Sequence, residues 1–578
     1  MNRQASAPLL ANEDPRDSFD DQERELLKQE SRKQISRERR RMCLCLGLAV
    51  VLASAAAITT TYLLTKSTNT FTPGRSRNVI MMVSDGFGPA SQTYGRSYWQ
   101  YINNHTEGVK TSLDDILIGA SRTRSSDSLV TDSAAGATAF SCAIKSYNAA
   151  IGVDPNGNPC GTVLESAKAN GMLTGLVVTS RVTHATPAAF SAHVVHRDME
   201  ADIAVQQIGD YPLGRQVDLM LGGGRCFFLP NTTAGSCRLD DRDLIKESRS
   251  YGWEHVVFNR DEFKDLIGED EILPLRTMGL FHPSHMNFEV DRIRNDKLEP
   301  PLHEMARVAL KSLKKWTTRG HGFFLMIEGS RIDMGAHNND PVAHVHEILE
   351  YHRTIQVVRD FVADNPDTVM ISTSDHETGG FTLGLQPDPN TYPDYLWRPE
   401  VISRAKVSTE ILTSDLILFH TANKNDDAFD IQGQASRRHQ TQDFVRKEIL
   451  EKGLGITDAT EEEIEYLSNA DTIPNDILRY LGHAISRRAN LGWTTMGHTG
   501  VDVNLYAASS VQNGNRILDR LRGNHENTEI GDYMSWYLQL DLPSITEKLT
   551  KSADKWFKPK SKFFTAEHSH SLHEETGH

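Results

Sequence analysis

Short uninterrupted apolar runs recur through the middle of the chain, and each stops abruptly at polar residues or glycine. Asn78-Val-Ile-Met-Met-Val-Ser runs into Asp85-Gly-Phe-Gly, and Thr174-Gly-Leu-Val-Val-Thr-Ser into Arg181-Val-Thr-His184-Ala-Thr186-Pro. Gly322-Phe-Phe-Leu-Met-Ile ends at Glu328 and leads to Asp333 and His337, while Thr368-Val-Met-Ile-Ser-Thr-Ser ends at Asp375-His376. A further run, Val217-Asp-Leu-Met-Leu, closes on Gly222-Gly-Gly and offers only backbone, which predicts a tight turn. Apolar runs of this length without alternation predict strands buried on both faces, as in a parallel sheet covered by helices. Helical stretches from Leu302 to Trp316 and from Val342 to Val362 fall between them, so the expected class is α/β. Sheets of that kind place their chemistry at the carboxyl ends of the strands, where the carboxylates and imidazoles fall here.

The N-terminal pattern differs. No charged residue occurs in the 24 positions from Met42 to Thr65, and a helix of that length reaches about 36 Å, enough to span a bilayer core. Arg32, Lys33, Arg37, Arg39, Arg40 and Arg41 precede it against the single acid Glu38, which by the positive-inside rule holds the N-terminus in the cytoplasm. The expectation is a single-pass type II signal-anchor over 42–65, after a disordered cytoplasmic tail over 1–41 and before a linker over 66–77. A lumenal body over 78–549 and an exposed tail over 550–578 follow. A cleaved signal peptide would need a shorter apolar core nearer the start. Leu9-Leu10 and Leu26-Leu27 are candidate signals for sorting adaptors, and Asn104-His-Thr and Asn231-Thr-Thr are acceptor sequons for N-glycans on the lumenal side.

Composition narrows the function. The chain of 578 residues permits one large catalytic body, and a hydrophobic fraction of 38% with 24% charged residues is ordinary for a globular protein. A formal charge of -15 argues against nucleic-acid binding. It fails equally to attract an anionic substrate, so phosphate chemistry would need metal ions or local cations. Beyond Cys43 and Cys45 at the expected membrane boundary, Cys142, Cys160, Cys226 and Cys237 would lie in an oxidising compartment. Three pairings are possible, and Cys226 with Cys237 is favoured because its loop is short.

Ser133, in Thr131-Asp132-Ser133-Ala-Ala-Gly-Ala-Thr-Ala, stands just before small, helix-forming residues. A helix N-terminus there would favour an alkoxide and then a phosphoryl ester. Taken alone, a capping serine without chemistry is the simpler reading. Taken with the other segments the balance changes. Asp85-Gly-Phe-Gly, the Ser133 block, His184-Ala-Thr186-Pro, Arg197, Glu328-Gly-Ser-Arg-Ile-Asp333 with His337, Ser374-Asp375-His376-Glu-Thr-Gly-Gly and Gly497-His498 resemble, in order, the alkaline phosphatase family, most of all its fungal vacuolar members.

That resemblance implies a three-layer sandwich with a large, mostly parallel central sheet flanked by helices. It implies two zinc ions, one on Asp333, His337 and His498 and one on Asp85, Asp375 and His376. A magnesium ion would be shared by Asp85, Thr186 and Glu328, with His184 nearby. Ser133 would be the nucleophile, with Asp132 beside it, and Arg197 would clamp the phosphate of a monoester substrate. A homodimer in the vacuolar membrane, and a rim or dimer insertion over 386–489, are implied in the same way. Val345-His346 to His352 is no zinc-protease motif, because its histidines are six apart. A phosphodiesterase or sulfatase on the same scaffold and a catalytically silent tethered glycoprotein are the alternatives. Relatives usually carry Lys or His in the position after Asp333, where this chain has Met334. Met334→His is accordingly expected to keep activity but change its magnesium dependence; superimposable magnesium titrations of the two proteins would refute this.

Overall fold

The computed structural model describes residues 24–44, 47, 76–318, 321–422, 431–510 and 517–558. The chain divides into one unit over 1–74 and another over 75–578.

In the second unit the apolar runs are strands: β1 (Asn78–Ser84), β3 (Leu173–Arg181), β4 (Leu219–Gly223), β7 (Phe323–Gly329) and β8 (Thr368–Thr373). Shorter strands complete the sheet: β2 (Leu117–Arg122), β5 (His255–Val257), β6 (Thr277–Leu280), β11 (Val503–Ser509) and β12 (Gly523–Glu526). Their order is β12-β2-β11-β8-β1-β7-β3-β4-β6-β5. All neighbours are parallel except β11, which runs antiparallel to both β2 and β8. Each residue of β1, β7 and β8 is buried, which is why these strands read as unbroken apolar runs. Burying one such Val, Ile, Met or Phe side chain stabilises the fold by about 1.5–3 kcal/mol.

The two helices expected from spacing form with nearly the same limits. Between Leu302 and Trp316 the buried positions include Met305, Val308, Ala309, Ser312 and Leu313, the recurrence of a helix with one core-facing side. The helix Pro341–Asp364 is started by Asp340, whose side chain accepts from the Val342 and Ala343 N–H groups, with Pro341 in the first turn. It packs against the first helix and behind β7 and β8. A small two-stranded sheet joins β9 (Glu377–Thr378) to β10 (His498–Thr499) in antiparallel register, His498 opposite Thr378. Disulfides link Cys142 to Cys160 and Cys226 to Cys237. Asn104 and Asn231 are both exposed.

The first unit is described for residues 24–44 and 47, an exposed helical stretch with Arg or Lys or Glu on nearly every turn. No helix among the described residues is long and apolar enough to cross a membrane. This corrects the expected signal-anchor over 42–65, and with it the single-pass type II topology, the membrane and sorting adaptors as partners, and the vacuolar-membrane location. A spanning helix needs about 20 consecutive apolar residues. Met42 to Leu44 instead continue a helix charged up to Arg41, and the 24-residue helix Pro341–Asp364 is long enough but interrupted by Glu347, Glu350, Arg353 and Arg359. The rest of the expected span, 45–46 and 48–65, lies outside the described residues, as do Leu9-Leu10, most of the linker and positions 559–578.

One buried ion pair ties the sheet's flank together. His193 and Glu165 are both fully buried, with His193 Nε2 2.9 Å from Glu165 Oε1 and Nδ1 2.7 Å from the Gly152 carbonyl. Both ring nitrogens face acceptors, so the ring is an imidazolium. Burial pushes its pKa down, but the Glu165 charge and hydrogen bond outweigh burial and raise it above the ordinary value. A raised histidine contributes its stability fully below the unfolded pKa, near 6.5, and loses it as pH climbs through the folded value. His193→Gln in the full-length chain is therefore expected to lose about 3–5 kcal/mol in urea unfolding at pH 6, with the gap to wild type shrinking at pH 9; a gap that widens at pH 9 would contradict the assignment.

Candidate metal centre

Parallel pairing carries distant parts of the chain to one sheet edge. Val83 pairs with both Glu328 and Thr373, and Val178 pairs with Glu328. The residues that follow therefore emerge side by side: Asp85 after β1, and Asp375 and His376 after β8. From here the helices that position the site are α1 (Ser133–Cys142), α2 (Ala185–Ser191) and α3 (Arg331–His337). Asp333 and His337 lie four residues apart on α3, and so on one face of it. Gly86 lets the β1 loop reach them. Its φ is +71°, and a Cβ there would lie 2.6 Å from the Asp333 Cα.

Two groups of donor atoms result. Asp333, His337 and His498 offer ligand atoms within 4.8 Å of one another, and Asp85, Asp375 and His376 do the same. No other such group occurs among the described residues. In the first group His337 Nδ1 bonds the Met496 carbonyl, and His498 Nδ1 lies 2.8 Å from that of Thr131. A carbonyl only accepts, so each neutral ring carries its proton on Nδ1 and turns the Nε2 lone pair inward. The two Nε2 atoms are 3.0 Å apart, and Asp333 Oδ2 is 3.1 Å from that of His337. Opposed lone pairs beside a carboxylate call for a positive charge between them.

The second group makes the same demand. Asp85 is fully buried and neither of its carboxylate oxygens has a hydrogen-bond partner; Asp375 Oδ2 and Glu328 Oε1 are in the same condition. Burial first, then the charges of Asp375, Asp333 and Glu328, push the Asp85 carboxyl well above the usual range. Burial also lifts Glu328 to about 7, although the Ser330 hydroxyl donates to its Oε2 at 2.6 Å. Asp333 goes the other way: burial raises it, but a hydrogen bond to His337 and the imidazoles of His337, His498 and His376, protonated when no cation faces them, bring it below the ordinary value. Uncompensated buried carboxylates are among the costliest groups a protein can hold. These donor sets fit divalent cations. Thr186, in the first turn of α2, is fully buried, and α2 packs against β7, which carries Glu328.

Ser133 opens α1 and is 1% exposed, with its Oγ 3.0 Å from His376 Nε2. Asp132 caps that helix, Oδ1 accepting from the Ala135 N–H at 3.0 Å. Its Oδ2 accepts from the Ala149 N–H at 2.9 Å and from Arg197 at 3.2 Å, and a second Arg197 nitrogen is 3.0 Å from His184 Nε2. One carboxylate thus fixes both the serine's helix and the guanidinium. Met334 belongs to the principal hydrophobic core. His352 bonds Gln92 and takes no part in either donor group.

Two contributors escape sequence reading. The Thr378 hydroxyl donates to Asp333 Oδ1 and lies 3.2 Å from His376 Nδ1. With its one proton on Asp333 it accepts from Nδ1, which leaves His376 Nε2 facing Asp375 Oδ2 at 3.2 Å and Asp85 Oδ1 at 3.5 Å. Asn148 steadies the loop before Ser133, accepting from the Asp132 N–H at 3.2 Å and donating to the Val130 carbonyl at 3.1 Å. Threonine and asparagine are too common for either to stand out by type.

Residues 76–540 match the sequence profile of the family described as alkaline phosphatase. The repressible alkaline phosphatase of Saccharomyces cerevisiae is 46% identical over 518 residues, covering 87% of each chain. The alkaline phosphatase of Schizosaccharomyces pombe is 46% identical over 473 residues, covering 82% of this chain and 83% of its own. Among solved structures, a cold-active alkaline phosphatase from Shewanella sp. superposes with a TM-score of 0.63 at 30% identity, covering 80% of this chain and 99% of that one. The sheet, the converging donors and the similarity over most of the chain agree: this protein belongs to the alkaline phosphatase family.

Proposed function

We propose that the chain hydrolyses phosphate monoesters to an alcohol and inorganic phosphate through a phosphoserine on Ser133, with two zinc ions and one magnesium ion as its resident metals. The observation that carries this reading is the Ser133 hydroxyl, buried at a helix N-terminus 3.0 Å from an imidazole nitrogen of the second donor group. Carboxylate with imidazole suits zinc in each three-residue group, while the all-oxygen set of Asp85, Thr186 and Glu328 suits magnesium. When bound, such ions supply Lewis-acid stabilisation of charge on oxygen and make a hydroxyl or water a stronger nucleophile at neutral pH.

The chain's own residues do the rest. Arg197, aimed by Asp132 and His184, holds two oxygens of the phosphate in a fork. Ser133 Oγ, its proton lost to solvent, attacks phosphorus; the Oγ–P bond forms as the bond to the ester oxygen breaks, and that oxygen takes a proton from solvent and leaves as the alcohol. Standing at the N-terminus of α1, Oγ lies at the positive end of the helix dipole, which favours its anionic form as nucleophile and as leaving group. Water then attacks phosphorus from the opposite side, the Oγ–P bond breaks, and Ser133 is regenerated with net retention at phosphorus. A monoester presents three such oxygens, whereas a diester or a sulfate ester offers fewer charges to Arg197 and the cations, and this favours the monoester over those alternatives.

Ser133→Ala is expected to lower kcat by roughly 10³-fold or more and to abolish a phosphorylated Ser133 peptide in acid-quenched wild-type protein. A variant that retains wild-type turnover would exclude the serine route. Rates on nitrophenyl phosphate, its diester and its sulfate should fall in that order. Prolonged dialysis against a strong chelator should remove activity, and zinc with magnesium should restore it; full activity in metal-free protein would dispose of the proposal.

A further inference from the structure

The segment 386–489 supplies no donor atom to either group among the described residues, yet it grips the helix that does. Two of its helices are involved, α4 (Thr409–Ala422) and α5 (Pro474–Arg488). At the start of α3, Arg331 donates to Glu410 Oε2 at 2.7 Å. Just past its end, Asp340 Oδ2 accepts from the Thr409 N–H at 2.7 Å and from its hydroxyl at 2.9 Å. The turn between, Asn338-Asn339, meets α5 at Gly482, where a Cβ would lie 2.6 Å from the Asn339 carbonyl oxygen and 3.0 Å from that of Asn338. Only glycine lets the two backbones approach so closely. The next residue of α5, His483, places Nε2 3.0 Å from Asn339 Oδ1.

Asn339 is the centre of this contact. Its φ is +50°, a region asparagine tolerates better than most residues. Its side-chain amide donates to the Ala336 carbonyl at 2.9 Å and to the Thr495 carbonyl at 3.0 Å. Two carbonyl partners fix which end of the amide is nitrogen, so Oδ1 faces His483 and Nε2 of that ring must carry the proton. Burial, then Arg487 and Arg479, push His483 below its ordinary pKa, which keeps the ring neutral. Thr495 immediately precedes Met496, whose carbonyl orients His337, and stands three residues before His498. Asn339 therefore laces the loop that delivers His498 to the helix that carries Asp333 and His337.

We infer that the 386–489 segment is a positioning element for the first cation group, acting through His483 on Asn339 and so on the spacing of Asp333, His337 and His498. This rests on that group binding zinc, and the test separates the two ideas. Full-length wild type, Asn339→Asp, His483→Ala and His483→Gln are titrated with zinc in competition with chelators of graded strength, while total zinc is counted by mass spectrometry. Asn339→Asp replaces both donors by acceptors facing carbonyls, and should weaken one zinc equivalent about 10–100-fold while leaving the other at its wild-type strength. His483→Ala should weaken the same equivalent by less, and His483→Gln, whose amide can still donate to Asn339, should recover most of the difference. Unchanged titrations for Asn339→Asp and His483→Ala overturn the inference, as does equal weakening of both equivalents, or His483→Gln behaving like His483→Ala. Wild type that binds no zinc would instead sink the metal reading itself.

Discussion

Four carboxylates, those of Asp85, Glu328, Asp333 and Asp375, are buried at one edge of one sheet, and the rest of the molecule is organised around holding them there. Left alone, charges so placed repel one another and pull for water. The strands behind them supply the opposing force: β1, β7 and β8 are buried on both faces and hydrogen-bonded on both sides, so their ends cannot drift apart. Divalent cations, which these donor sets fit, would convert a destabilising arrangement into a working one. Folding and metal binding are for that reason two parts of a single equilibrium, with the sheet providing the frame and the ions the neutralisation.

The frame was legible because its physics is local. Asn78–Ser84 and Thr368–Thr373 are buried throughout and apolar in their centres, from Val79 to Val83 and from Val369 to Ile371, as a strand covered by helices on both sides requires. The two candidate donor groups were legible because Asp, His and Glu fall at several abrupt strand ends, and because those ends occur in a recognisable order. Ser133 alone was not: its surroundings are those of any capped helix until His376 Nε2 is seen 3.0 Å away. Thr378, Asn148 and Asn339 were beyond reach for another reason. Each acts through the direction of one hydroxyl or amide, and direction is set by partners tens or hundreds of residues distant. Met334 illustrates the converse, since a position that reads as a missing polar contact lies in the apolar core.

At the N-terminus, hydropathy misled in an instructive way. An uncharged stretch is necessary for a spanning helix, but where residues 42–44 are described they extend a helix dense in arginine and glutamate. The segment 386–489 carried only the rim or dimer role that the resemblance implies, because it has helical patterns in plenty and, among the described residues, no member of either donor group. Its contribution lies in contacts at both ends of a seven-residue helix, a role that no motif encodes.

The register of β10 against β9 has a consequence for biosynthesis. His498 is held by pairing with Thr378, more than a hundred residues upstream, whereas Asp85, Asp375 and His376 all leave the ribosome earlier. A polypeptide emerging from its N-terminal end can therefore assemble one cation group while the other still lacks its last ligand. Truncated products of translation that stop short of His498 would carry an incomplete first group of donors.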